Sequence, residues 1–219
     1  SLDKHIVSFR EGEQGNIAII LPGIPGTAYG YYELAENLKE ETIYGIHMKG
    51  FDGSQPLESM ESIAKHVIDM LQKINLREEI TLYAHSFGGL VIFELLKLIK
   101  KTAIKIKRVI LLDTYSNILE VNFKEKMTFF IHLLCEQFKL NVDKQAAMEF
   151  VKKVVKISIK KREDIIYNYL IEKGGKINKD SFSQMYNMYN TSMNIEYKMK
   201  EASNNEIILV KAKNTFSQD

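Results

Sequence analysis

Strand-like and helix-like stretches alternate along residues 16–115, and few folds accept that order. Residues 16–21 (NIAIIL) form a short continuous apolar run, the mark of a strand buried on both faces. The turn Pro22-Gly23-Ile24-Pro25-Gly26 follows, then a helix over 31–38 with Leu34, Ala35 and Leu38 on one face. Residues 42–48 (TIYGIHM) read as a strand, and Gly50-Phe51-Asp52-Gly53 is turn chemistry. Ile63, Val67, Ile68, Leu71 and Ile74 recur at helical spacing over 59–74, with Ser59 and Ser62 competing to cap the first turn. A strand over 80–84 (ITLYA), a helix over 88–100 and a strand over 108–112 (RVILL), ending at Asp113, complete the series. Such alternation predicts an α/β fold with a mostly parallel sheet and helices on both faces.

Beyond residue 122 the pattern changes. Up to about residue 199 it is helical and rich in Lys, Met, Tyr and Asn, and only 207–210 (IILV) reads as a strand again. An α-helical insertion between two strands of one sheet is the simplest account. A single domain over 1–219 is therefore expected, with a core of 1–115 and 204–219 and a helical lid at about 116–203.

Charge narrows the partners. Lys plus Arg total 30 and Asp plus Glu 28, a balance unlike the concentrated basic surface that binds nucleic acid. The lysine-rich stretches 97–107 and 152–162 are expected as solvated faces. Cys135 is the single cysteine, which excludes an internal disulfide and a cysteine-based zinc site. No apolar run approaches the roughly 18 residues of a membrane span, and the first residues lack a signal-peptide pattern. A cytoplasmic location without membrane attachment is the resulting expectation.

The chemistry centres on Ala84-His85-Ser86-Phe87-Gly88-Gly89, set between a predicted strand and a predicted helix. This is the context of a nucleophile elbow, where a sharp turn lifts the serine hydroxyl above the sheet and small neighbours let the chain ends approach. Gly88 meets that need, and Ala84 stands where glycine is usual. The Phe87 N–H, at the start of the helix, would face a developing oxyanion. A second donor is expected from the loop after an earlier strand, and there Ile24 keeps its N–H while Pro25 has none. The bland alternatives are a helix-capping serine with a packing glycine pair, and an ordinary Gly/Pro turn.

The chain resembles the thioesterase domains that terminate nonribosomal peptide synthetases and modular polyketide synthases. The resemblance rests on LPGIPGTAYGYYELAENL (21–38), IYGIHMKGFDG (43–53), MESIAKHV (60–67), HSFGGLVIFELLKL (85–98) and RVILLDTY (108–115), in family order and with family-like spacing. Free-standing editing thioesterases of the same pathways match less well, lacking the GFDG-type turn and the LLD-T-Y stretch. The resemblance implies an α/β-hydrolase fold and a Ser–His–Asp triad with Ser86 as nucleophile and Asp113 as acid. An aspartate at the end of a strand beside the nucleophile strand is also placed to orient an imidazole, although capping the next helix is the plainer role. Asp219, after the next strand, is the competing acid.

The pattern breaks at the base. Chain order in this fold is Ser, Asp, His, yet no histidine follows His132. The base, with a last strand and helix, is expected beyond residue 219, and the abrupt start at Ser1 fits a domain excised from a larger assembly-line protein. Without that base the polypeptide should be a weak catalyst or none. The existing histidines are poor substitutes: His85 should point away from Ser86 and pack, His66 falls on a polar helix face, His47 ends a strand, His5 lies in the N-terminal segment and His132 packs in a lid helix.

The implied activity is release of a large acyl or peptidyl chain from the phosphopantetheine arm of a carrier domain, through a Ser86 acyl-enzyme, by hydrolysis or macrocyclisation. No metal or redox cofactor is called for. Another serine hydrolase of the same fold and a non-catalytic acyl-binding module are the alternatives. Tyr186, Met188, Tyr189, Met193, Tyr197 and Met199 suit a wide acyl pocket, but the same spacing also suits plain core.

Overall fold

The computed structural model describes residues 2–12, 15–74, 76, 78–115, 120–198 and 205–211. In chain order the elements are β1 (Ile6–Arg10), β2 (Ile17–Leu21), α1 (Tyr32–Asn37), β3 (Thr42–Ile46), α2 (Met60–Lys73), β4 (Ile80–His85), α3 (Phe87–Ile99) and β5 (Ile106–Leu112). Helices α4 (Phe123–Gln137), α5 (Lys144–Val154), α6 (Ile159–Glu172) and α7 (Lys179–Met193) follow, and then β6 (Ile207–Val210). Among the described residues the strands form one six-stranded sheet in the order β1-β3-β2-β4-β5-β6. Only β1, paired with β3, runs antiparallel. The expected α/β architecture, a mostly parallel sheet with helices on both faces, is the one observed.

Alternation along β2 shows why both faces are covered. Ile19 and Leu21 point into the large core with α2 and α3, whereas Ala18 and Ile20 join Ala35 of α1 and Ile43 of β3 on the other side. A strand that must be apolar on both faces reads as a continuous run. On α2 the competition between caps resolves to Ser59, whose hydroxyl accepts the Ser62 N–H at 3.1 Å. Ile63, Val67, Ile68 and Leu71 are then buried on one face. At the far end of α1 the Arg10 guanidinium donates to the carbonyls of Ala35, Leu38 and Glu40 at 2.8–3.2 Å, tying β1 to the helix end and the segment after it.

Three of the four helices between β5 and β6 carry their own start signals. Asn122 and Glu125 form a capping box on α4, Asp143 caps α5 and Asn178 caps α7. Their apolar faces join the large core: Phe130 stacks on Tyr189 with ring centres 4.1 Å apart, and Phe182 is fully buried. Helix α7 also rests on the loops after β2 and β3. A Cβ on Gly26 would lie 2.7 Å from Met188 Cε, one on Gly50 within 2.3 Å of Met188 Sδ, and one on Gly53 2.8 Å from Gln184 Nε2. Met188, Tyr189 and Met193 are each no more than 3% exposed, so these three belong to the core, the plainer of the two readings of their spacing. Met199 lies outside the described residues. No described helix is long and apolar enough to cross a membrane.

Candidate active site

Strand β4 ends at His85 and α3 begins at Phe87, so Ser86 makes the turn between them alone. Its backbone sits at φ 49° and ψ −118°, a combination a residue with a side chain adopts only when its surroundings impose it. The Ser86 N–H donates to the Leu112 carbonyl at 2.9 Å. The Ser86 carbonyl accepts from the Gly89 N–H at 3.0 Å and from the Thr114 hydroxyl at 3.2 Å. Ser86 occupies the capping position of α3, but its side chain accepts no capping hydrogen bond. Among the described residues the hydroxyl has no hydrogen-bond partner.

Gly88 lets the turn close against β2. A Cβ there would lie 2.5 Å from the Pro22 carbonyl oxygen and 2.9 Å from that of Leu21, both backbone atoms at the end of a central strand. We expect Gly88→Ala to lower stability by about 1–3 kcal/mol, the usual cost of an inserted methyl that forces backbone to move. The change would register as a lower urea midpoint at unchanged slope.

The loop after β2 contains two prolines, so Pro22-Gly23-Ile24-Pro25-Gly26 has N–H groups only at Gly23, Ile24 and Gly26. Two of these are engaged. Gly23 donates to the Tyr31 hydroxyl at 2.9 Å, and Gly26 donates to the Gly23 carbonyl at 2.8 Å. The Ile24 N–H has no partner among the described residues, and neither has the Phe87 N–H at the first position of α3. The loop also touches the elbow, since a Cβ on Gly23 would come within 3.2 Å of the Ser86 Cβ.

Asp113 follows β5 directly, next to the elbow, because His85 of β4 pairs with Leu112 of β5. It too has a positive φ, 47°. Its N–H donates to the Val210 carbonyl of β6 at 2.8 Å, and its Oδ1 accepts the Tyr115 hydroxyl at 3.0 Å. Asp219, the alternative acid, lies outside the described residues.

The model of the thioesterase domain family matches residues 17–138, from β2 through α4. The chain belongs to the thioesterase domain family. A nonribosomal peptide synthetase of Aspergillus flavus, imqB, is 29% identical over 106 residues, which is 48% of this chain and 3% of that protein. The thioesterase domain thus spans only a small part of the relative it matches. Among solved structures, a four-domain nonribosomal peptide synthetase bound to AMP and glycine (AB3403) superimposes with a TM-score of 0.74 at 17% identity, covering 98% of this chain and 17% of that one. The Vlm2 thioesterase domain bound with a dodecadepsipeptide gives 0.65 at 15% identity over 96% of this chain and 89% of that one. The type II thioesterase YbtT of the yersiniabactin pathway gives 0.55 at 14% identity, covering 87% and 68%. These likenesses establish the shared fold.

The thioesterase domain distributes its histidines unlike the sequence expectation in two places. His85, expected simply to pack, has its Nδ1 2.8 Å from the Tyr31 hydroxyl, a polar contact. His66, expected on a polar helix face, is half-buried, and its Nε2 donates to the His47 carbonyl at 2.9 Å. The N-terminal segment covers that side of α2: the rings of His5 and His66 meet edge to face at 4.9 Å, and Lys73 pairs with Asp3 at 2.7 Å. His132, on α4, pairs with Glu136 at 2.9 Å. No group of three metal-ligating side chains is gathered among the described residues.

His47 is fully buried, stacks on Phe51 at 3.9 Å and accepts the Ala28 N–H on Nδ1 at 2.9 Å. Burial pushes its pKa down to about 4, and the neighbouring His5 adds to the effect. The unfolded imidazole titrates near 6.5. Between those values the unfolded chain takes up a proton that the native imidazole refuses, so stability is complete above pH 6.5 and is lost as pH falls toward 4. Burial of His66 acts in the same direction. Urea midpoints should fall between pH 7.5 and pH 4.5, by up to about 3 kcal/mol from His47 alone. His47→Asn, which keeps an acceptor for Ala28, should flatten that dependence.

Proposed function

We propose that this thioesterase domain accepts an acyl or peptidyl chain from a carrier-domain phosphopantetheine thioester onto Ser86 and then releases it. The observation that carries the reading is the elbow: a constrained serine whose hydroxyl is uncommitted, beside two uncommitted N–H groups on separate elements. In the first step the Ser86 oxygen bonds to the thioester carbonyl carbon, and its proton passes to a general base. The N–H groups of Phe87 and Ile24 donate to the tetrahedral oxyanion. The carbon–sulfur bond then breaks, and the base returns the proton to the departing thiolate. Water, or a nucleophile within the acyl chain, attacks the resulting ester and frees Ser86. Asp113 orients the imidazole that serves as base. None of the five histidines hydrogen-bonds the Ser86 hydroxyl, so the reading requires an imidazole brought there by another segment. Helices α4–α7 act as the lid over the acyl chain, α7 being seated on the loops that border the elbow.

The carrier partner is inferred from the relative that is a nonribosomal peptide synthetase and from the resemblance over residues 21–115. Its test is a comparison of leaving groups. With one acyl chain presented either on a phosphopantetheinylated carrier domain or as a p-nitrophenyl ester, kcat/KM should be at least tenfold higher for the carrier thioester. A preference for the simple ester would point instead to an esterase of the same fold.

A further inference from the structure

Tyr31 stands between the two halves of the proposed oxyanion site. It closes the short 3₁₀ turn Tyr29–Tyr31 after the Pro22–Gly26 loop, and its hydroxyl reaches back to that loop and across to β4. The Gly23 N–H donates to the Tyr31 oxygen at 2.9 Å, and the same oxygen lies 2.8 Å from His85 Nδ1. We assign the second bond to the Nε2–H tautomer of His85, in which the Tyr31 oxygen accepts from Gly23 and gives its one proton to the Nδ1 lone pair. Burial keeps both partners neutral, as this needs: it lowers the His85 pKa and raises the phenol to about 12. Asp113 is the charged neighbour that opposes the effect on His85.

The chain Gly23–Tyr31–His85 therefore bolts the loop that carries Ile24 to the residue before Ser86. Packing is tight at the same place, for a Cβ on Gly23 would meet His85 Nδ1 at 3.0 Å. An oxyanion donor helps only if its position is set before charge develops. With Gly26 closing the turn onto the Gly23 carbonyl, Gly23 is the end of the loop that fixes the aim of the next N–H, that of Ile24. We propose that Tyr31 and His85 are positioning residues, which hold the Ile24 N–H in register with the Ser86 oxygen without touching the substrate. This inference rests on the proposed roles of Ser86 and Ile24.

Two readouts on the complete domain, base included, test it. Inactivation by an alkyl fluorophosphonate, whose P=O occupies the oxyanion position, reports alignment, and amide hydrogen exchange at Gly23 reports the bolt itself. Tyr31→Phe should slow the maximal inactivation rate by about 10–100-fold with inhibitor binding unchanged, and should speed Gly23 exchange at least tenfold. His85→Asn, whose amide oxygen takes the place of Nδ1 as acceptor, should stay within threefold of the native rate, while His85→Leu should behave like Tyr31→Phe. Unchanged exchange in Tyr31→Phe overturns the bolt. Faster exchange with native inactivation, or His85→Asn as impaired as His85→Leu, overturns the positioning role. Failure of the native protein to label at Ser86, judged against Ser86→Ala, instead overturns the function on which the inference rests, and the positioning role falls with it.

Discussion

In the complete domain, base included, Ser86→Ala should abolish covalent acylation by a thioester probe and lower kcat by roughly 10⁶-fold, the loss typical when the nucleophile of a serine triad is removed. The fold should barely register the change. Because the Ser86 hydroxyl holds no hydrogen bond among the described residues, its removal leaves no buried partner unsatisfied. The backbone bonds to Leu112, Gly89 and Thr114 that impose the positive φ do not involve the side chain's oxygen. Intact-protein mass spectrometry after incubation with an acyl thioester reads the first effect, and a thermal melt reads the second. Acylation that persists in the variant would remove Ser86 from the mechanism.

Asp113→Asn should lower kcat by about 10⁴-fold, the size expected when the carboxylate that orients an imidazole becomes an amide. The substitution isolates charge from shape. Asparagine keeps an oxygen for the Tyr115 hydroxyl, and the N–H bond to the Val210 carbonyl is untouched. The positive φ at this position is also one that asparagine tolerates well. The comparison that decides the acid is Asp219→Asn, measured beside it with the same thioester. A larger loss there would transfer the role.

Much of this organisation was legible in the residues. Runs such as NIAIIL and ITLYA stand out because strands flanked by helices on both faces tolerate no polar alternation, and the elbow stands out because a strand, a serine and a glycine pair meet without a gap. The edge strand β1 carried a weaker signal. IVSFR pairs on one side only, with an irregular register between Ser8 and Arg10, and three of its five residues are only partly buried. The polar scaffold of the site was not legible at all. Tyr31, Thr114 and His85 act through hydrogen bonds between residues 28 to 54 positions apart, and no periodicity encodes such pairs. The segments that contain Tyr31 and Thr114, AYGYYELA and LLDTY, were conspicuous only as parts of longer resemblances. The clustering of His5, His47 and His66 escaped for the same reason, since they lie just before β1, just after β3 and on α2.

The tie between Asp113 and Val210 has a consequence for how such a domain matures on the ribosome. The carboxylate's backbone is steadied by a strand that is synthesised only after all four intervening helices. Contacts between segments so distant in the chain form late, once the entropy of closing the long loop has been met. The Ser86 turn, built from segments synthesised before β6, forms ahead of the tie that holds the Asp113 backbone. A nascent polypeptide therefore passes through a stage in which the Ser86 turn is shaped while the Asp113 backbone is not yet tied to β6.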